Sequence, residues 1–156
     1  MDFSPAHVHV MVNHFPLVGL AVGMGLLLVG GILKQRPVIG AAIWVIALCA
    51  GMIFPTTWSG DKAADKMYDS LDKDSKSALS AHIARAEKLE PACYVLAALA
   101  LAGYFVRRFR PKTETWVVWI LVILTGATLA GNMWVADVGG KVRHPEFREH
   151  DAGKKK

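Results

Sequence analysis

Apolar residues arrive in four long blocks, Phe15 to Leu33, Pro37 to Pro55, Pro91 to Val106 and Trp116 to Val138, and nearly all charge falls between them. Soluble cores show short alternations, whereas uninterrupted blocks of about 17 to 25 residues match the thickness of a bilayer; only the third block falls just under that length. Ala81, Ile83, Ala84, Ala86 and Leu89 carry a helix-compatible pattern into Pro91 and lengthen it. The pattern predicts an all-α integral membrane protein, one domain over residues 1–156, built as a four-transmembrane-helix bundle with spans at about 12–33, 37–55, 84–106 and 116–138. Between spans two and three, Ala64, Met67, Tyr68 and Leu71 form an apolar stripe against a face of Asp and Lys. This predicts a short amphipathic outer helix lying on the membrane surface or capping the bundle. After a break at Lys73 to Ser75, Leu79, His82, Ala86, Leu89 and Cys93 recur at steps of three and four. His82 therefore shares the stripe that runs on into the third span and points into the bundle.

Local signals refine the ends. Ser4 is a cap and Pro5 suits the first helical position, where a missing N–H is no loss. Pro16 falls inside the first helix and should bend it just after His14, by removing the bond to the Val12 carbonyl. Gly19 and Gly23 have small-xxx-small spacing for close helix packing. Asn132 reads as an interhelical hydrogen-bond donor, and Gly139-Gly140 as the stop of the fourth helix, which would turn the chain back and bring His144 over the bundle mouth. The five tryptophans read as interface anchors and packing, and Cys49 and Cys93, too far apart for metal-ligand spacing, as buried apolar residues. The charged tail from Phe147 to Lys156 reads as flexible; no internal repeat or second domain is visible.

Charge sets the expected orientation. Lys34 and Arg36 join spans one and two, and Arg107, Arg108, Arg110 and Lys112 join spans three and four, with no acid in either basic stretch. Those loops are expected to be cytoplasmic. The Thr56 to Glu90 loop mixes bases with seven acids, and it is expected to be periplasmic together with both termini of a multi-pass protein of the bacterial inner membrane. No basic region precedes the first block, so a cleaved secretory signal is not expected. The net charge of +5 then follows from topology and needs no nucleic-acid partner.

All six histidines gather toward the same rim: His7, His9 and His14 around the start of the first span, His82 before the third, His144 and His150 after the fourth. Lipid offers an imidazole no hydrogen-bond partner, so such a cluster suggests a bound cofactor or metal. On an unbroken helix His7 and His14 share a face while His9 points away; His7 and His150 read as solvated.

Four separated elements, His9-Val10-Met11-Val12-Asn13-His14-Phe15-Pro16, Trp58-Ser59-Gly60-Asp61, the isolated His82, and Val138-Gly139-Gly140-Lys141-Val142-Arg143-His144, occur in an order that resembles an uncharacterised bacterial four-helix membrane domain family, number two-thousand-two-hundred-thirty-one in the domain-of-unknown-function series. Val10, Val142 and Pro145 stand where that family usually has proline, tyrosine and glycine. The resemblance marks His9, His14, His82 and His144, with Asp61 as a supporting partner. Similar domains occur joined to iron-sulfur or c-type haem domains, which implies electron transfer.

The leading expectation is a b-type cytochrome-like electron-transfer subunit rather than an enzyme by itself. It would hold one or two haems b through histidine pairs near the periplasmic face, with Lys141 and Arg143 pairing with propionates and Asp61 fixing an imidazole tautomer. No Cys-x-x-Cys-His occurs, so covalent haem attachment is excluded. No histidine lies near Lys34 or Arg107, so electrons are expected to move along one face, between a quinol or a partner redox subunit and an outer acceptor, within a larger complex. The alternatives are a zinc, copper or iron ion held by His9, His14, His82 and His144, and a structural anchor subunit.

Overall fold

The computed structural model describes residues 4–144 and 146–147, so that His150 and nearly all of the tail expected to be flexible lie outside the described residues. The chain forms α1 (Pro5–Val12), a wide π-type turn (Phe15–Gly19), α2 (Leu20–Ile32), α3 (Arg36–Gly51), α4 (Ile53–Met67), α5 (Lys73–Phe109) and α6 (Glu114–Arg143). α1 and α2 form one bent rod, α3 and α4 a second. These two rods, α5 and α6 are four helices long and apolar enough to cross a membrane.

The bends have local causes. Ser4 accepts from the His7 N–H at 3.3 Å and Pro5 opens α1, as their chemistry predicts. Pro16 has no N–H, so the helix widens into the π-type turn around it and resumes at Leu20. Pro55 likewise leaves the Gly51 carbonyl without its usual donor, and the second rod bends at Met52. α2 ends on Lys34 in the left-handed conformation (φ 54°), with the Gln35 N–H donating to the Gly30 carbonyl at 2.8 Å, a Schellman closure made without glycine.

α2 packs on α3, α3 on α5, α5 on α6, and α6 back on α2, which closes a ring of four. Leu20, Leu27, Ile43, Ile46, Leu96 and Leu121 fill its centre. A methyl added at Gly23 would lie 2.7 Å from Ile46 Cγ1, so the predicted small-residue contact does bring α2 close to α3. At one end α1, α4, the first turns of α5 and the last turns of α6 rise beyond the ring as a head with its own small core of Ala64, Leu79 and Val142.

Three expectations are corrected. The amphipathic outer helix is not a separate surface element: α4 begins at Ile53 and continues the second rod upward to pack on α1. The break before the third rod falls at Leu71 and Asp72, where Asp72 caps α5 by accepting from the N–H groups of Asp74 and Ser75 at 2.9 Å. Gly139-Gly140 does not stop the fourth helix, because α6 runs through both glycines to Arg143 and neither takes the left-handed conformation.

At the opposite end, Arg107 is buried rather than a freely solvated loop base. Its Nη2 lies 2.7 Å from Glu114 Oε2 and donates to the Arg36 carbonyl at 2.9 Å, while Arg36 Nε donates to the same Glu114 oxygen at 3.2 Å. Glu114, just beyond the basic stretch, thus ties the two basic loops together in the first turn of α6, where a carboxylate is favoured.

Candidate functional site

The head holds two histidines in one repeated arrangement. His9, on α1, donates from Nδ1 to the main-chain carbonyl of Thr56 on α4 at 2.9 Å. Four residues on, a methyl at Gly60 would lie 2.9 Å from His9 Cε1 and 3.0 Å from its Nδ1. His82, on α5, donates from Nδ1 to the carbonyl of Val135 on α6 at 3.1 Å. Four residues on again, a methyl at Gly139 would lie 2.9 Å from His82 Cε1 and 3.0 Å from its Nδ1. A carbonyl can only accept, so in both rings Nδ1 carries a proton, and in the neutral ring Nε2 is the nitrogen that keeps a lone pair. Each ring is therefore oriented by a neighbouring helix and backed by a glycine.

Both rings line one cavity of about 770 Å³ that opens between α1, α4, α5 and α6. Leu17, Ile53, Leu79, Ile83 and Ala86 give it apolar walls, and Arg143 and Asp61 also line it. That volume falls within the range of about 300 to 1,000 Å³ usual for small-molecule and cofactor sites. The lining joins a mainly apolar interior to a few polar groups, the composition that binds and orients a ligand.

The other predicted residues divide. His14 lines the cavity but is exposed, and it donates from Nδ1 to the Val10 carbonyl of its own helix at 3.0 Å. His144 is not among the lining residues. Because α6 does not turn at the glycine pair, His144 ends up exposed beyond the last turn, bonded to Glu146 at 2.8 Å and stacked on Phe147. Asp61 orients neither cavity imidazole at Nδ1; main-chain carbonyls take that part. Lys141 is engaged with Asp137 at 3.1 Å and does not line the cavity, whereas Arg143 does. Asn132 bridges helices as expected, donating to Cys93 Sγ at 3.9 Å and to the Thr128 carbonyl at 2.9 Å. Among the described residues, no three His, Cys, Asp or Glu side chains stand close enough to share a metal ion.

Gly60 and Gly139, which back the two cavity rings, are the positions that residue chemistry missed. Alanine normally stabilises a helix by about 1 kcal/mol over glycine. At Gly139 the added carbon would press on the His82 ring, and overpacking costs about 1–3 kcal/mol. Gly139→Ala is therefore expected to lower stability in a detergent denaturation series. Gly25→Ala, where nothing lies within 4 Å of the new carbon, should leave it unchanged or raise it.

No family model, curated protein or solved structure matches this chain.

Proposed function

We propose that this chain is a membrane-embedded electron-transfer subunit that holds a haem b between His9 and His82. The observation that carries the reading is the doubled arrangement. Two imidazoles from separate helix pairs, each held through Nδ1 by a main-chain carbonyl, line one cavity, and each has Nε2 outside that bond as the nitrogen that would take a metal. A haem iron needs one such nitrogen on each side of a flat ring, and the slot must be broad and apolar. Gly60 and Gly139 serve that fit, since any side chain there would displace the ring it backs. Arg143 at the cavity wall is suited to a propionate. When bound, a haem supplies a one-electron couple; the chain's own residues hold it, orient the imidazoles and exclude water with the apolar walls.

The setting proposed is the bacterial inner membrane, with the head and both termini on the periplasmic side and the Arg36–Glu114–Arg107 end in the cytoplasm. Membership of the four-helix family that the chain resembles is part of the same proposal. The test is the absorption spectrum of the chain, purified in detergent from haem-supplemented cells, before and after dithionite. A Soret band, a sharpened α-band on reduction and about one acid-extractable haem per chain are expected. A colourless protein with no extractable haem overturns the reading, and zinc, copper or iron in that colourless protein would move the site to the metal-ion class.

A further inference from the structure

At the Glu90 end the cavity carries polar groups that the two histidines do not use. Eight residues separate His82 from Glu90, which is about 12 Å along α5. Glu90 Oε1 accepts from the Tyr94 hydroxyl at 2.7 Å, while the Thr57 hydroxyl, 3.2 Å from the same oxygen, shares its one proton with the Ile53 and Phe54 carbonyls. The Tyr94 bond holds the carboxyl group, and Oε2 makes no hydrogen bond among the described residues. On the α1 side, Asn13 Oδ1 is buried with no hydrogen-bond partner among the described residues, and Asn13 lines the same cavity. A buried acceptor left unpaired is costly, so one built into a cavity wall points to a donor that arrives with a ligand. Phe54, Trp58 and Tyr94 also line the cavity while keeping large exposed surfaces, so aromatic rings lead from the outer face of the helices to these acceptors.

Two hydrogen-bond acceptors, apolar walls and an aromatic approach together require a flat, largely apolar molecule with hydroxyl donors. We propose that this part of the cavity binds a hydroquinone headgroup that enters from the lipid side and donates its hydroxyls to Glu90 Oε2 and Asn13 Oδ1. The inference deepens the electron-transfer reading and rests on it for its meaning, since a hydroquinone is an electron donor; its test reads binding alone, so the two fail separately. The Glu90 carboxylate oxygen gives the site a redox preference, because the oxidised quinone has only carbonyl oxygens to set against it; Asn13 can serve either form, through Oδ1 or Nδ2.

The experiment titrates the purified full-length chain in dodecyl maltoside with decylubiquinol and follows tryptophan fluorescence, to which Trp58 reports from the cavity wall. Saturable binding is expected, with decylubiquinone binding about tenfold or more weakly. Glu90→Gln and Asn13→Leu, each checked for helical content by circular dichroism, should each weaken decylubiquinol binding about tenfold. His144→Ala, at an exposed position that does not line the cavity, should keep it. Absence of saturable binding by the unaltered chain overturns the proposal. So does equal affinity for the two redox forms, or full affinity in both the Glu90 and the Asn13 variants. A haem-free chain that still binds the quinol would refute only the haem.

Discussion

On the proposed haem reading, His82→Ala is expected to strip the purified protein of Soret absorption, and His9→Ala to do the same, with retained haem falling about 100-fold or more in each. Losing an outer partner of a metal ligand already costs about 10- to 100-fold in affinity, and losing the ligand itself should cost no less. Each ring is anchored across a helix pair, so alanine leaves an imidazole-sized gap beside a glycine. Added imidazole should therefore enter that gap and restore part of the absorption, a rescue that a purely structural histidine would not show. His144→Ala should keep the haem, because that side chain is exposed and bonded to Glu146 away from the cavity. If His144→Ala bleached the protein and His82→Ala did not, the pairing would be wrong.

His82 was legible because it lies on an apolar stripe of period 3.6, and stripes of that kind are set by burial. The four long helices were legible for the same reason, as was the bend at Pro16, where the missing N–H opens a π-type turn; Pro91, by contrast, lies inside α5 without interrupting it. The partners of the histidines were hidden, because the groups that orient them are main-chain carbonyls, which every residue carries. Thr56 and Val135 have no side-chain feature that announces the bond. The available signal was glycine. Gly60 and Gly139 each stand four residues after the accepting carbonyl, at the place where a helix must lack a side chain for a ring to lie against it. Gly139 reads equally well as a helix stop, and that reading moved His144 to the wrong place. Once the ring contacts are known, the chain resolves into two helical hairpins, α1–α4 and α5–α6. Each presents a histidine at its start to a carbonyl and a glycine near its end, a repeat of geometry with no repeat of sequence.

The largest stability effect is expected far from the cavity, at Glu114. Its Oε2 takes bonds from Arg36 Nε and from Arg107 Nε and Nη2, at 3.2, 3.0 and 2.7 Å, so one carboxylate oxygen holds two guanidinium groups together. Glu114→Ala would leave Arg107, whose side chain is only 9% exposed, facing Arg36 with one main-chain carbonyl for company. Breaking a buried pair by removing one partner costs about 3–5 kcal/mol; the lower end applies because Glu114 itself keeps 19% exposure. The chain should thus lose about 3 kcal/mol in a detergent denaturation series. The double variant Glu114→Ala with Arg107→Met should recover much of that loss, since it removes the stranded charge and keeps an apolar stem in the buried space. Simple additivity in that cycle would mean that Arg107 owes its burial to packing of its methylenes rather than to Glu114. Because these bonds join the first turn of α6 to the end of α5 and the start of α3, their loss should loosen the closed ring of helices at that end. The His9 and His82 head, built at the other end on its own small core, should keep its ligand geometry and its spectrum.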